Sequence, residues 1–278
     1  MIASAKLPPL CARYGRELNG RSGGVEQILE DFVALDRIAV ALASEEQNNV
    51  ALTGPAGCGK TSTVRKLAAL IEEGRWRRLT GRRVVELNLD LINQDPKKRD
   101  LRFKHILDEA EYYRMIVYVD EAHRLSDSGG PSNLLNTLKP YITSGGISML
   151  ISTTSEEYHT YIACDRAMER RFQSIELKEP DHRRLLDILE RVAHVRYPRT
   201  EITPDAIEET ARLAVYCAPE RCEPARSLEL LHYEISASQI NLPPEEHIAR
   251  VTAADVRRAA ALKTDNKDLE KENASGNV

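Results

Sequence analysis

The sequence predicts an α/β protein: a three-layer large domain built on a parallel five-stranded sheet, followed by a small helical domain. Three observations carry that expectation. Short apolar segments rich in branched residues alternate with stretches of helical periodicity as far as residue 177, as buried parallel strands and their crossover helices do. The first of these segments runs straight into a glycine-rich loop that opens a helix. The alternation then stops at Glu179-Pro180-Asp181, and only helical patterns follow.

Residues 1–24 read as irregular, with Pro8-Pro9 and Gly20, Gly23 and Gly24. A helical pattern occupies 25–45, and Asn48-Asn49 reads as a turn. Strands are predicted at Val50–Thr53, Val84–Leu89, Met115–Val119, Ile147–Ser152 and Gln173–Leu177, with helices between them at about 60–73, 101–112, 132–140 and 163–170. Beyond the break, helices are predicted at His182–Val195, Pro204–Tyr216, Ala225–Ser236 and Ala253–Leu262. Asp181 is placed to cap the first of these and Thr203 the second, where Pro204 takes the first helical position. Asn241-Leu-Pro-Pro reads as a loop. The expected organisation is therefore an N-terminal segment over 1–24, a large domain over 25–179, a small helical domain over 180–263 and a polar, disordered tail over 264–278.

Composition narrows the function classes. With 42% hydrophobic and 29% charged residues, whole-chain disorder is excluded. A net charge of -4 gives no general attraction to nucleic acid or membrane. No apolar run approaches the roughly 20 residues that span a bilayer, and the N-terminus lacks the apolar core of a signal peptide. The five cysteines are odd in number and match no metal spacing, so free thiols in a reducing cytoplasm are expected.

The chemistry is concentrated at two places. Gly54-Pro55-Ala56-Gly57-Cys58-Gly59-Lys60-Thr61 fits G-x-x-x-x-G-K-[ST] at every defined position, between an apolar strand and a helix. Glycines let the backbone curl its N–H groups into an anion nest at a helix N-terminus. Lys60 is expected on the β and γ phosphates of ATP, and the Thr61 hydroxyl on Mg2+. The alternative, a glycine turn of no chemical use, ignores that context. The second place is Asp120-Glu121, which closes the apolar strand Met115–Val119. Asp120 is expected to hold the ion and Glu121 to polarise the attacking water. Two acids merely capping a strand are the alternative, and a complete phosphate loop upstream weighs against it.

With these segments in place the sequence resembles the AAA+ ATPases, and within them the first ATPase module of the Clp-type unfoldases and disaggregases. The resemblance covers roughly residues 44–240. It is carried by Asn48-Asn49, the phosphate loop, Gly81-Arg82-Arg83-Val84, Asp120-Glu121-Ala122-His123, Leu135 to Pro140, Thr153-Thr154, and above all Glu156-Glu157-Tyr158, Tyr161-Ile162 and Asp165 to Phe172. It implies ATP hydrolysis with Mg2+ in a homo-oligomeric ring, hexameric as a rule in the family. It also implies a polar sensor at Thr154, with Thr153 not separable from it. Arg170 and Arg171 match the arginine fingers that reach a neighbouring subunit's ATP, where a fixed cation stabilises charge developing in phosphoryl transfer. Arg226 resembles the sensor arginine of the lid domain, a position where Clp first modules often carry Lys. Tyr14-Gly15-Arg16 resembles the short box ahead of Clp modules, near the adenine.

Departures from the family bear on function. Where the unfoldases carry a pore loop with a gripping aromatic, this chain has Asp95-Pro-Lys-Lys-Arg-Asp-Leu101, which is shortened and basic. Phe103 matches the apolar residue just after that loop. The chain is expected to act as a stand-alone module, since no second ATPase module and no coiled-coil insertion lies within it. A basic cluster of Arg75, Arg77, Arg78, Arg82 and Arg83 around Trp76 and the basic stretch Lys97-Lys98-Arg99 are the nucleic-acid-like features, although Clp modules share Gly-Arg-Arg-Val in the first. The favoured reading is an ATPase that remodels a protein client or complex. The alternatives are a nucleic-acid-associated ATPase, and a nucleotide-gated adaptor with little turnover.

Overall fold

The computed structural model describes residues 6–20, 32–126, 133–240 and 249–265. These fall into two compact units. The first holds residues 6–20, 32–54, 60–126 and 133–177; the second holds 55–59, 178–240 and 249–265. Of the tail expected over 264–278, Thr264 ends a helix and residues 266–278 lie outside the described residues, as does the Asn241-Leu-Pro-Pro loop.

The first unit is built on a six-stranded sheet. Its strands are β1 (Gly15–Glu17), β2 (Asn49–Thr53), β3 (Val84–Leu87), β4 (Ile116–Val119), β5 (Ser148–Thr153) and β6 (Phe172–Glu176), in the order β1-β3-β4-β5-β2-β6. The five strands β2 to β6 run parallel. Every residue of β2, β4 and β5 is buried. That explains their unbroken apolar runs, because helices cover both faces of such a sheet.

The sixth strand is a finding beyond the five expected. β1 pairs antiparallel with β3 in the register Gly15↔Leu87, Arg16↔Glu86, Glu17↔Val85. A short helix, α1 (Pro9–Tyr14), leads into it. Its first-turn donors, Leu10 N and Cys11 N, are accepted by the Glu109 carboxylate at 3.2 and 2.7 Å. So Tyr14-Gly15-Arg16 forms the edge of the sheet. At Gly15 a Cβ would meet Glu86 O at 2.8 Å and the Val85 side chain at 2.9 Å, which no larger residue tolerates.

Among the described residues the other α-helices of this unit are α2 (Phe32–Leu42), α3 (Lys60–Glu72), α4 (Leu89–Asn93), α5 (Arg99–Tyr112), α6 (Leu134–Ser144), α7 (Ser155–Glu157) and α8 (Arg166–Glu169), with a 3-10 turn at Ala122–Ser126 and a π-helical turn at Tyr158–Ala163. Helix α5 turns Phe103, Ile106, Leu107 and Ala110 inward at i, i+3, i+4 and i+7 spacing. The expected turn at Asn48-Asn49 is instead the entry to β2. Both side chains are buried and serve as connectors: Asn48 Nδ2 donates to Gly145 O at 3.0 Å, and Asn49 Oδ1 accepts from Met149 N at 2.9 Å.

The second unit packs α9 (His182–Arg196), α10 (Pro204–Cys217), α11 (Ala225–Gln239) and α12 (Ala253–Thr264) around Leu189, Val192, Leu213, Leu230, Leu231 and Val256. Asp181 caps α9 by accepting from Arg184 N at 2.8 Å. Two three-residue strands, β7 (Thr200–Ile202) and β8 (Ala249–Val251), pair in parallel. Neither is long enough to leave a periodicity signal in the sequence. Two carboxylates lie in this helical core. Glu209 accepts from Arg212 and Arg257. Glu234 lies 3.1 Å from the Thr210 hydroxyl.

Candidate nucleotide-binding site

Strand β2 ends at Thr53, and the chain turns through Gly54 to Gly59 before α3 begins at Lys60. Gly57 and Gly59 adopt φ of 92° and 96°, and Gly54 a φ of 149°, values that side-chain-bearing residues rarely take. Gly57 has a second constraint within its unit: a Cβ there would come within 2.7 Å of the Ala225 Cβ and 3.3 Å of Cys222 O. The loop therefore has the curled backbone that an anion nest needs, leading into the N-terminus of a 13-residue helix. Lys60 Nζ donates to Gly54 O at 2.8 Å, which holds the ammonium across the loop's mouth.

Thr61, in the first turn of α3, points at the acidic strand end. Its Oγ1 donates to Asp120 Oδ2 at 2.8 Å. The other carboxylate oxygen, Asp120 Oδ1, accepts from Ser152 Oγ on β5. Ser152 Oγ in turn lies 2.9 Å from the Tyr118 hydroxyl on β4. Burial, then the charge of Asp120, pushes the Tyr118 phenol far up, so it stays neutral and serves as a hydrogen-bonding group. A hydroxyl and a carboxylate within 2.8 Å of each other are the hard oxygen donors that suit Mg2+. The residues present fit the ion that the motif implies.

Glu121 follows Asp120 and sits at φ 52°, left-handed backbone that is strained for a residue with a Cβ. Its side chain is largely exposed. Arg124, one turn further on, places Nη1 3.7 Å from Glu121 Oε2 and also pairs with Asp90 at the start of α4. His123 turns away from this group: its Nδ1 lies 3.3 Å from Glu157 Oε2.

Thr153 and Thr154 both engage Glu157. Thr153 Oγ1 donates to Glu157 Oε2 at 2.7 Å, while Thr154 forms a capping box with Glu157 at the start of α7. Burial alone would raise the Glu157 carboxyl, but the Thr154 N–H and the two threonine hydroxyls outweigh it and hold it below the usual range. Thr153 is buried in β5, whereas Thr154 is half-buried at the strand's end.

Arg170 and Arg171 lie between α8 and β6. Their main chain is held by Gln47 Nε2, which donates to Arg170 O at 2.9 Å, and by Asn49 Nδ2, which donates to Arg171 O at 3.4 Å. The Arg170 side chain is exposed, and Arg171 Nη1 donates to Glu46 O at 3.2 Å. In the second unit, Arg226 Nε donates to Glu223 Oε1 at 2.8 Å.

The arginine cluster is consumed by the fold. Arg75 pairs with Asp36, and Trp76 Nε1 donates to the same carboxylate at 2.9 Å. Arg82 donates to Arg114 O and Leu42 O, and Arg83 to Glu17 at 2.6 Å. Arg99, expected in a basic loop, starts helix α5.

Ser152, Tyr118 and Arg124 are site residues that sequence reasoning missed. Ser152 did leave a signal, since a hydroxyl inside an otherwise apolar central strand needs a buried partner.

Residues 50–179 match the model of the ATPase family associated with various cellular activities (AAA). The chaperone protein ClpB of Oceanobacillus iheyensis is 27% identical over 267 residues, which cover 91% of this chain and 33% of that protein. The negative regulator of genetic competence ClpC/MecB of Bacillus subtilis is 29% identical over 252 residues, covering 85% of this chain and 31% of that protein. Among solved structures, the S. cerevisiae Hsp104:casein complex in its extended conformation superposes with a TM-score of 0.79 at 25% identity, covering 96% of this chain and 47% of that one. The chain thus spans about a third of the length of these curated relatives.

Proposed function

Since this chain carries an ATPase domain of the AAA family, related to the Clp chaperones, we propose that it couples Mg-ATP hydrolysis to the remodelling of a protein partner within a homo-oligomeric ring. The observation that carries the catalytic part is the hydrogen-bonded group Thr61–Asp120–Ser152 with Glu121 beside it.

The division of labour follows from the chemistry of the side chains. The backbone N–H groups of Gly54 to Thr61, with Pro55, Ala56 and Cys58 as spacers, cradle the phosphates, and Lys60 adds a charge. Thr61 and Asp120 hold Mg2+, which when bound neutralises charge on the phosphate oxygens. Glu121 orients and deprotonates the attacking water. Thr154, or Thr153 beside it, positions the γ phosphate or that water. Arg170 and Arg171 act in trans on a neighbouring subunit's nucleotide, with Arg170 the better placed by its exposure. Arg226 acts from the small helical unit, which serves as a lid. A reducing, cytoplasmic setting suits five cysteines none of which is in a disulfide.

A protein client is favoured over nucleic acid because most guanidinium groups of the 75–83 cluster already have partners inside the fold. The gripping aromatic is missing from 95–101, so the client need not be threaded. Glu121 weighs against a silent adaptor, because an exposed carboxylate on strained backbone gives nothing to stability. The test is Glu121→Gln, which should keep ATP affinity and abolish turnover. The ATP-loaded variant should also retain its client in a pull-down. Normal hydrolysis by Glu121→Gln would remove Glu121 as the base.

A further inference from the structure

Among the described residues, Arg124 is the one cation paired with the carboxylate assigned as the base. It lies on the turn after β4, where Arg124 N donates to Glu121 O at 2.9 Å. That turn carries its side chain back beside Glu121. Its Nη1 is 3.7 Å from Glu121 Oε2, while Nη2 pairs with Asp90 Oδ1. The three side chains line one wall of a cavity of about 380 Å3 that also includes Arg16, Asn88 and Asp120. Arg16 is engaged separately, with Nε 2.6 Å from Glu86 Oε2. So Arg124 alone joins Glu121 to another element, α4.

We propose that Arg124 is a positioning residue that restrains Glu121, and that Asp90 competes with Glu121 for its guanidinium. This rests on Glu121 being the base. A carboxylate held by a guanidinium has one oxygen engaged, and its side chain is less free to turn toward the attacking water. Asp90 draws the guanidinium toward α4 and leaves Glu121 the longer, weaker contact. The distances agree, because the Arg124–Asp90 pair is the tighter of the two. Anything that binds Asp90, or shifts α4 and the basic stretch after it, changes how firmly Arg124 holds Glu121. Turnover is thereby linked to the state of residues 89–98.

The two partners make opposite predictions. Arg124→Ala frees Glu121 and should raise kcat roughly two- to five-fold, the scale of an exposed ion pair, with no change in affinity for a fluorescent non-hydrolysable ATP analogue. Asp90→Ala leaves Arg124 to Glu121 alone and should lower kcat by a similar factor. The double variant Asp90→Ala/Arg124→Ala should match Arg124→Ala, because Asp90 acts only through the guanidinium. Arg124→Lys keeps the charge but cannot fork between two acids, so its kcat should fall between wild type and Arg124→Ala. If Arg124→Ala is poorly folded by thermal melting, the Lys variant decides. An unchanged or lowered kcat in the folded Arg124 variants overturns the proposal, as does an Asp90→Ala defect that persists in the double variant. Glu121→Gln is run alongside. If it hydrolyses ATP normally, the assignment of the base fails. If it is inactive while Arg124 variants are neutral, only the restraint fails.

Discussion

The Glu234 carboxyl makes a quantitative prediction about the second unit. It is 1% exposed among α10, α11 and α12. Thr210 Oγ1 lies 3.1 Å from both of its oxygens and 2.8 Å from Ala206 O. The Thr210 hydroxyl is shared as a donor between Ala206 O and the Glu234 oxygens, so its single proton satisfies the carboxyl poorly. Burial pushes its pKa from 4.5 up to about 9, with the nearby Asp255 adding to the shift and Thr210 opposing it. Between these values the folded state keeps the proton and the unfolded state has released it. Unfolding therefore releases a proton, and stability falls as pH rises, by about 1.4 kcal/mol per pH unit. From pH 6 to pH 8 the loss from this one group is about 3 kcal/mol. Glu234→Gln keeps the size and an oxygen that accepts from Thr210, and it removes the titration. Melting followed by circular dichroism at pH 6 and pH 8 should show the variant gaining on wild type by roughly 6–12 °C across that interval. Parallel pH dependence of the two proteins would refute a neutral Glu234.

Two further predictions concern the catalytic side. Ser152→Ala removes the donor to Asp120 Oδ1 and the partner of the buried Tyr118 hydroxyl; it should raise the Mg2+ concentration needed for half-maximal turnover several-fold and cost about 1–3 kcal/mol of stability in thermal melting. Arg170→Ala with Arg171→Ala should lower kcat by roughly a thousand-fold, the scale of an arginine finger, with ATP affinity largely retained. In the wild type, turnover per chain should rise with protein concentration, and a flat profile would count against fingers acting in trans.

Strands β2, β4 and β5 were legible because burial on both faces forces apolar runs between helices of clear periodicity, while β6 at the sheet edge mixes buried and exposed positions, burying Phe172 and Ile175 only. The sixth strand was not legible. β1 has three residues, Gly-Arg-Glu, with no apolar alternation. What makes it a strand is the free edge of β3 and the anchoring of α1 by Glu109, some 98 residues away. The same applies to Asn48-Asn49. Local chemistry says turn, but two buried amides that bond to Gly145 and Met149 have a tertiary reason to be there. The arginine cluster, weighed as a polyanion surface and not favoured, shows the same limit: its partners Asp36 and Glu17 and the carbonyls of Leu42 and Arg114 are distant in sequence.

The site was legible wherever one short motif does the chemistry, and less so wherever a side chain's meaning depends on what holds it. Arg226 illustrates the difference. The resemblance assigns it a phosphate contact, while the structure pairs it with Glu223, which is 6% exposed and also accepts from Ser227 N at 3.2 Å. Breaking that pair would leave a buried carboxylate short of a partner, a loss on the order of 3 kcal/mol. The two roles are compatible, however, because the pair uses Nε and a guanidinium carries five donors in a fixed fork. With Nε anchored on Glu223, the fork is oriented before any nucleotide arrives, and less rotamer entropy is lost on contact. A lysine has no such second anchor: an ammonium drawn to Glu223 is withdrawn from a phosphate. For the phosphate-contacting role proposed for Arg226, this is a physical reason to have arginine there in place of lysine, and it makes Glu223 the residue that positions it.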